Sequence, residues 1–297
     1  MSAHTPESPA AKAGRMFYFV VFLFFAWGFA TVLIDTLIPK LKGLFQLSYA
    51  EVMLTQFSFF LSYFLFSMPA AVVLSRIGYT RSISLGLVVM AGGCLLFAPA
   101  ASIGLYPIFL VALFVMAAGI TMLQVAANPY VAVLGPESTS SSRLTLTQAF
   151  NSLGTTVGPL VGAAFILGNM PADTGVADAA ARAAEIQAVQ FPFLAIAAVL
   201  IVVAGVFWTQ RRADMAQVDE AAGLADSFRI LGKLRLALGA ASIFLYVGAE
   251  VSIGSLLVNY LIQTSVLGIE ASQAGRLVSL YWGGAMVGRF VGAFILQ

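Results

Sequence analysis

Charge is what this sequence has least of: Asp, Glu, Lys and Arg together make up 9% of its 297 residues, against 60% hydrophobic residues and a mean hydropathy of +0.95. A soluble domain carries about 25% charged residues, so this chain has too little polar surface to face water on all sides. The basic residues are scattered and the net charge is only +2, which excludes the stripe of Lys and Arg that a nucleic-acid groove requires. There is one cysteine, Cys94, inside an apolar stretch, and one histidine, His4, near the N-terminus. That scarcity excludes a disulfide framework and a His/Cys metal site, and no cofactor is expected. It also argues against an intramembrane hydrolase, because no apolar run holds a cluster of His, Cys or metal-ligating residues, or a general base able to activate a serine. The chain is therefore not expected to be an enzyme.

Long apolar runs are what the sequence does have. A hydrocarbon core about 30 Å thick takes about 20 apolar residues per helix, and runs of that length lie near 16–38, 52–75, 82–100, 105–134, 144–168, 191–209, 235–262 and 273–297. In lipid the backbone must satisfy its own hydrogen bonds, and the alternation of a membrane barrel is absent, so eight transmembrane helices and an all-α membrane protein are predicted. With the N-terminus in the cytoplasm, ten Lys and Arg fall on inside segments (Lys12, Arg15, Arg76, Arg81, Arg143, Arg211, Arg212, Arg229, Lys233, Arg235) and four on outside ones (Lys40, Lys42, Arg182, Arg276). The excess favours that orientation. Residues 1–15 are rich in Ala, Pro and Ser and read as a disordered tail; the apolar run after them is too long for a cleaved signal peptide. Residues 16–209 read as a six-helix bundle, 210–234 as a charged cytoplasmic linker, and 235–297 as the first two helices of an incomplete second bundle.

Polar residues inside the spans carry the functional reading. Asp35 and Glu250 are the acids well within apolar runs, where a carboxylate at the bilayer centre costs about 2.5–3.5 kcal/mol. Both are candidate proton-coupling residues; the alternative is a neutral acid bonded to a neighbouring helix. Gln124 and Asn128 are four apart on the fourth span, and Gln148 and Asn151 three apart on the fifth, so each pair shares a helix face. Amides donate and accept without charge, which suits the hydroxyls of a sugar; the alternative is a set of helix-to-helix bonds. Pro129 after Asn128 predicts a kink or local unwinding there. Asn259, Tyr260 and Trp27, with Phe25, are candidates to bond to or stack on a sugar ring, against a role as interface anchors. Glycines spaced by four, Gly154, Gly158 and Gly162 on the fifth span and Gly284, Gly288 and Gly292 on the eighth, form smooth strips for close helix packing. These strips serve either a sliding contact between bundles or packing within one.

At the level of motifs, the first span FFAWGFATVLIDTLIPKLK, the segment GITMLQVAANPYVAVLGPESTSSSRLTLTQAFNSLGTTVGPLVG and the seventh span YVGAEVSIGSLLVNYL resemble the fucose/galactose/glucose:proton symporters of the major facilitator superfamily. The likeness is to the bacterial glucose/galactose branch. The loop SRIGYTR keeps Arg76, Gly78 and Arg81 of the general facilitator pattern but has Ser75 where Asp is usual. The resemblance implies a twelve-helix major facilitator fold, of which eight helices are present, with a central sugar cavity and alternating access. It also implies proton-coupled uptake of a hexose, glucose or galactose, across the bacterial inner membrane. In the fucose members the acid of the first span is implicated in proton coupling and matches Asp35; their second acid, on the fourth span, corresponds to Gln124, and Glu250 is the candidate to take its place. Some relatives couple to sodium, the alternative ion. The expected partners are a small sugar, a proton and the lipid bilayer, with the monomer as working unit. Competing readings are an exporter or organic-solute transporter of the same fold, and a truncated membrane protein that binds sugar without moving it.

Overall fold

The computed structural model describes residues 9–164, 179–211, 229 and 232–295. Within these ranges the side chains of 9–12, 35–40, 43–44, 179–189 and 292–295 lie outside the description. In chain order the helices are α1 (Pro9–Leu44), the short α2 (Tyr49–Val52), α3 (Leu54–Ile77), α4 (Tyr79–Ile103), α5 (Tyr106–Val133), α6 (Ser140–Gly162), α7 (Ala179–Thr209), α8 (Leu234–Leu261) and α9 (Ala271–Ile295), with a 3-10 turn at Glu137–Thr139. No strand occurs among the described residues, and the all-α expectation holds.

Each of the eight predicted spans corresponds to a long helix, but six described segments are long and apolar enough to cross a membrane by length and composition. The two that fall short are α6 and α9. Their sequences explain it: α6 opens SSSRLTLTQAFNS and α9 carries Arg276, Arg289 and four glycines before Gly292. Hydropathy is lowest in the helices that bring polar groups into the interior.

Local signals set several helix ends. Ser48 caps α2: its Oγ accepts from the Glu51 N–H at 3.2 Å while Glu51 Oε2 accepts from the Ser48 N–H at 2.8 Å, a reciprocal arrangement that satisfies two otherwise unpaired donors. α1 begins at Pro9, inside the stretch expected to be an unstructured tail. The sequence PAAKAG suits a helix start, with proline at a first-turn position and alanine after it. The local unwinding predicted at Pro129 is absent, since α5 continues through it as helix. Beside the proline, the Asn128 side chain donates to the Gln124 carbonyl, one turn earlier, at 2.9 Å.

The hydrophobic core is built where α4 packs against both α5 and α7, and where α3 joins α5 and α1 joins α6. Phe97 of α4 stacks on Phe193 of α7 with ring centroids 4.0 Å apart. α4 and α5 approach at Gly119, where an added Cβ would lie 2.6 Å from the Gly86 carbonyl oxygen and 2.7 Å from Met90 Cα. Only glycine lets the two backbones meet this closely. α9 packs chiefly on α6, whereas the first half of α8 is exposed, including Ile243, Phe244 and Leu245.

Candidate functional site

Three of the four amides converge. Gln124 Nε2 on α5 donates to the Tyr63 hydroxyl on α3 at 3.0 Å, and Gln148 Nε2 on α6 donates to Asn128 Oδ1 at 3.2 Å. With the Asn128 bond to the Gln124 carbonyl, this makes a half-buried chain of neutral donors and acceptors across three helices. An amide has two donors and an acceptor with two lone pairs, so each side chain retains capacity for a further polar partner. Tyr63 escaped the sequence reading because it sits in an aromatic run, SFFLSYFLF, where nothing separates it from lipid-facing neighbours. Its position one helix away from Gln124 is a tertiary fact.

Asn151 leaves the group. It is buried, and its Nδ2 donates to the Phe24 carbonyl of α1 at 3.0 Å, in the gap left by Gly28. Three residues advance a helix about 300°, so Gln148 and Asn151 diverge by roughly 60°. That divergence lets Gln148 meet α5 while Asn151 meets α1. Asn151 thus makes a helix-to-helix bond.

The glycine strip of α6 faces the same way as Asn151. A Cβ on Gly154 would strike the Phe25 carbonyl and come within 2.7 Å of the Phe29 nitrogen, and one on Gly158 would strike Val32. Gly154 and Gly158 therefore pack α6 on α1. Gly284 and Gly288 on α9 have no neighbour within 4 Å of an added Cβ, so these strips do not meet in a sliding contact here. Gly162 lines an apolar cavity with α1 and α7, and the surroundings of Gly292 lie outside the described residues. The seam between α6 and α9 runs instead through Ser152 and Thr156. Thr156 Oγ1 lies 3.9 Å from Met286 Sδ, and its Cγ2 would be 3.6 Å from a Cβ at Gly283.

Of the remaining candidates, Trp27 is 5% exposed and packs on Phe24 with centroids 4.4 Å apart; it is a core residue of α1. Phe25 lines the apolar cavity. Asn259 is buried with its Nδ2 unpaired, while Tyr260 next to it is 55% exposed. Consecutive helix residues point about 100° apart, so the two do not form one contact surface. Asp35 lies on α1, and its side chain is outside the described residues.

Glu250 is not an isolated carboxylate. Its Oε1 lies 3.5 Å from Arg289 Nη2 on α9, and Arg289 Nη1 donates to Ser152 Oγ on α6 at 2.6 Å. The Tyr281 hydroxyl adds a bond to the Glu250 carbonyl at 3.0 Å. Arg289 was invisible to a search of the spans for acids, although an arginine in an apolar run is as costly as a carboxylate and equally in need of a partner. A second bond across the same divide joins Gln56 Nε2 of α3 to Ser255 Oγ of α8 at 2.8 Å, both buried.

Arg143, in the loop motif most distinctive in the sequence, has a structural task. Its Nε donates to the Val131 carbonyl at 3.1 Å, Nη2 to Ala132 at 2.7 Å and Nη1 to Pro136 at 3.0 Å. The guanidinium thereby satisfies the last carbonyls of α5, which have no partner within the helix.

Two cavities flank these groups. One of about 370 Å³ between α1, α6 and α7 is wholly apolar, walled by Phe22, Phe29 and Phe191 among others. The other, about 70 Å³, lies where α1, α3 and α6 meet α8 and α9 and brings Thr31, Gln56, Thr155 and Trp282 together. It is too small for a hexose. Among the described residues no group of three or more His, Cys, Asp or Glu is placed to hold a metal ion.

Comparison with known proteins agrees with this fold. The Brucella abortus (strain 9-941) protein described as a glucose/galactose transporter is 49% identical over 99% of this chain and 70% of its own length. The L-fucose-proton symporter of Escherichia coli K12 is 35% identical over 93% of this chain and 66% of its own. The crystal structure of the facilitator FucP in its outward conformation superposes with a TM-score of 0.74 at 32% identity, covering 94% of this chain and 70% of that one. The sequence profile of the Major Facilitator Superfamily matches residues 18–297, and with eight long helices in that superfamily's arrangement the chain belongs to the Major Facilitator Superfamily of membrane transporters.

Proposed function

We propose that this protein is a sugar symporter of the bacterial inner membrane, moving glucose or galactose inward with a proton by alternating access. The observation that carries the reading is the chain Tyr63–Gln124–Asn128–Gln148, which presents neutral donors and acceptors from three helices. A charged or greasy substrate gains little from such a surface; a polyhydroxyl ring matches it group for group. The relatives described as glucose/galactose transporter and L-fucose-proton symporter point to the same substrate class.

In this reading Gln124, Asn128 and Gln148, with Tyr63, bind the sugar, and Asn151 holds the wall of α6 on α1. Asp35 is the proton-carrying acid of α1, and Glu250 is the second acid, on α8. The six helices of 16–209 form one bundle and 235–297 the beginning of another, with the N-terminus and the 210–234 linker on the cytoplasmic side. Rocking of the bundles about the sugar exposes it to each side in turn, and protonation drives the cycle because it stabilises one facing state more than the other. The proton is preferred to sodium, and the monomer is taken as the unit of transport.

The test is uptake of radiolabelled glucose and galactose into proteoliposomes, with and without an inward proton gradient and with sodium on either side. The chain is compared with a version extended by the matching remainder of its Brucella relative. Accumulation that needs the proton gradient and ignores sodium is the expected result. Sodium-driven accumulation would reassign the ion, and no uptake of either sugar by a folded extended protein would overturn the reading.

A further inference from the structure

We infer that Arg289 is the positioning residue that ties Glu250 to the sugar-site helix, an electrostatic bridge made in one facing state and released in the other. The inference rests on the transport reading above for its role, but on geometry for its existence. Arg289 reaches two partners on two different helices. One guanidinium nitrogen lies 3.5 Å from the Glu250 carboxylate on α8 and the other donates to Ser152 Oγ on α6 at 2.6 Å. Ser152 is not a neutral bystander in sequence: its Oγ also donates to the Gln148 carbonyl at 3.0 Å, one turn along the helix that carries Gln148 into the amide chain. Glu250 is thereby connected to the proposed sugar site through a single arginine.

The seam this bridge spans is built to open. α6 and α9 meet through Ser152, Thr156, Gly283 and Met286, while Gly284 and Gly288 are exposed, with no atom within 4 Å of an added Cβ. At Gly283, Gly284 and Gly288 of α9 an added Cβ would meet no backbone atom within 4 Å, unlike one at Gly119 of α5. Arg289 is 38% exposed and Glu250 13%, so the guanidinium has somewhere to go when the pair parts. Among the described groups, those bonded to Glu250 are Arg289 at the carboxylate and the Tyr281 hydroxyl at the backbone carbonyl. Neutralising Glu250 removes the charge that holds the arginine on α8, leaving Ser152 as its remaining partner. Moving α6 from α9 does the reverse. Each event therefore opposes the other: a neutral Glu250 leaves the arginine holding α6, and a parted seam leaves it holding an ionised Glu250, which is the differential interaction that coupling requires.

Two experiments test this. In proteoliposomes, gradient-driven accumulation and equilibrium exchange of galactose are measured side by side for the native chain, Arg289→Gln, Arg289→Lys, Glu250→Gln and the double variant Glu250→Gln/Arg289→Gln. Arg289→Gln is expected to lose about tenfold or more in accumulation, with exchange falling less than about threefold, because an unpaired buried charge and a lost bridge disturb coupling before binding. Arg289→Lys should recover part of the loss, since lysine keeps the charge without the fork that reaches both partners. The double variant should do no worse than the weaker single one, because the residues act as one unit. Unchanged accumulation in Arg289→Gln, or losses that multiply in the double variant, would overturn the bridge.

The second experiment does not depend on transport. Thr156→Cys and Met286→Cys are introduced together across the seam, where Cys94 is buried and out of reach, and the disulfide-linked fraction is followed after mild oxidation. Arg289→Gln should lower that fraction at least about twofold, as expected for loss of a contact favouring the closed seam. An unchanged fraction overturns the bridge even where sugar is transported. A cross-link that depends on Arg289 in a chain that moves no sugar supports the bridge and sinks the transport reading instead.

Discussion

The seam between α4 and α5 and the seam between α6 and α9 are both helix contacts in one membrane protein, and they are made in opposite ways. The first brings backbones together at Gly86, Gly93 and Gly119 and is sealed by Met90, Met116 and Leu123. The second is spanned by the side chains of Ser152, Thr156 and Arg289. Lipid gives no hydrophobic drive for helices to associate, so close packing is what holds a seam in a membrane. A seam spanned by a few polar side chains gives up less when it opens. In the proposed transport cycle, that difference separates a body that moves as one piece from a surface along which it moves.

The largest effect that would break this comparison lies in the tight seam. Gly119→Leu places side-chain atoms on the backbone of Met90 and Gly86, and should destabilise the protein by about 3 kcal/mol or more, seen as a fall in thermal midpoint in detergent. A midpoint within a degree or two of the native chain would show that α4 and α5 can part as α6 and α9 do. Next is the proposed sugar site on α3, α5 and α6. Gln124→Ala removes a donor to Tyr63 and a proposed ligand, and should raise the KM for galactose by about 5- to 100-fold, corresponding to roughly 1–3 kcal/mol for a buried polar group left unpaired.

A smaller effect distinguishes binding from packing within one helix. Asn151→Ala should cost about 1 kcal/mol of stability through its bond to the Phe24 carbonyl, with the KM unchanged; a raised KM with native stability would place Asn151 among the sugar ligands. The smallest effect is at the loose seam: Gly288→Ala meets no atom within 4 Å and should change stability by less than about 0.5 kcal/mol. A large loss there, measured in the same thermal assay, would mean that α9 closes on something with that face.

Much of this was legible in the sequence because the bilayer imposes a one-dimensional rule. Eight apolar runs gave eight long helices, and an amide at i and another at i+4 had to share a face, as Gln124 and Asn128 do. What the pattern left open were matters of neighbours. Spacing by four at Gly154 and Gly158 is the same whether the strip faces α1 or α9, and it faces α1. Glu250 has no nameable partner in the sequence because Arg289 lies 39 residues away on another helix.

The sequence by itself determined that the chain lives in lipid, that it is helical, and which few polar residues had to be accounted for inside the membrane, because the cost of burying charge and unpaired backbone is a property of residues alone. Only the tertiary structure decided which of those polar residues meet. Tyr63 joins Gln124, Asn151 turns to α1, and Arg289 bridges Glu250 and Ser152, because a polar side chain in a membrane takes whichever partner the packing of helices brings within reach, and that packing is set by the whole bundle.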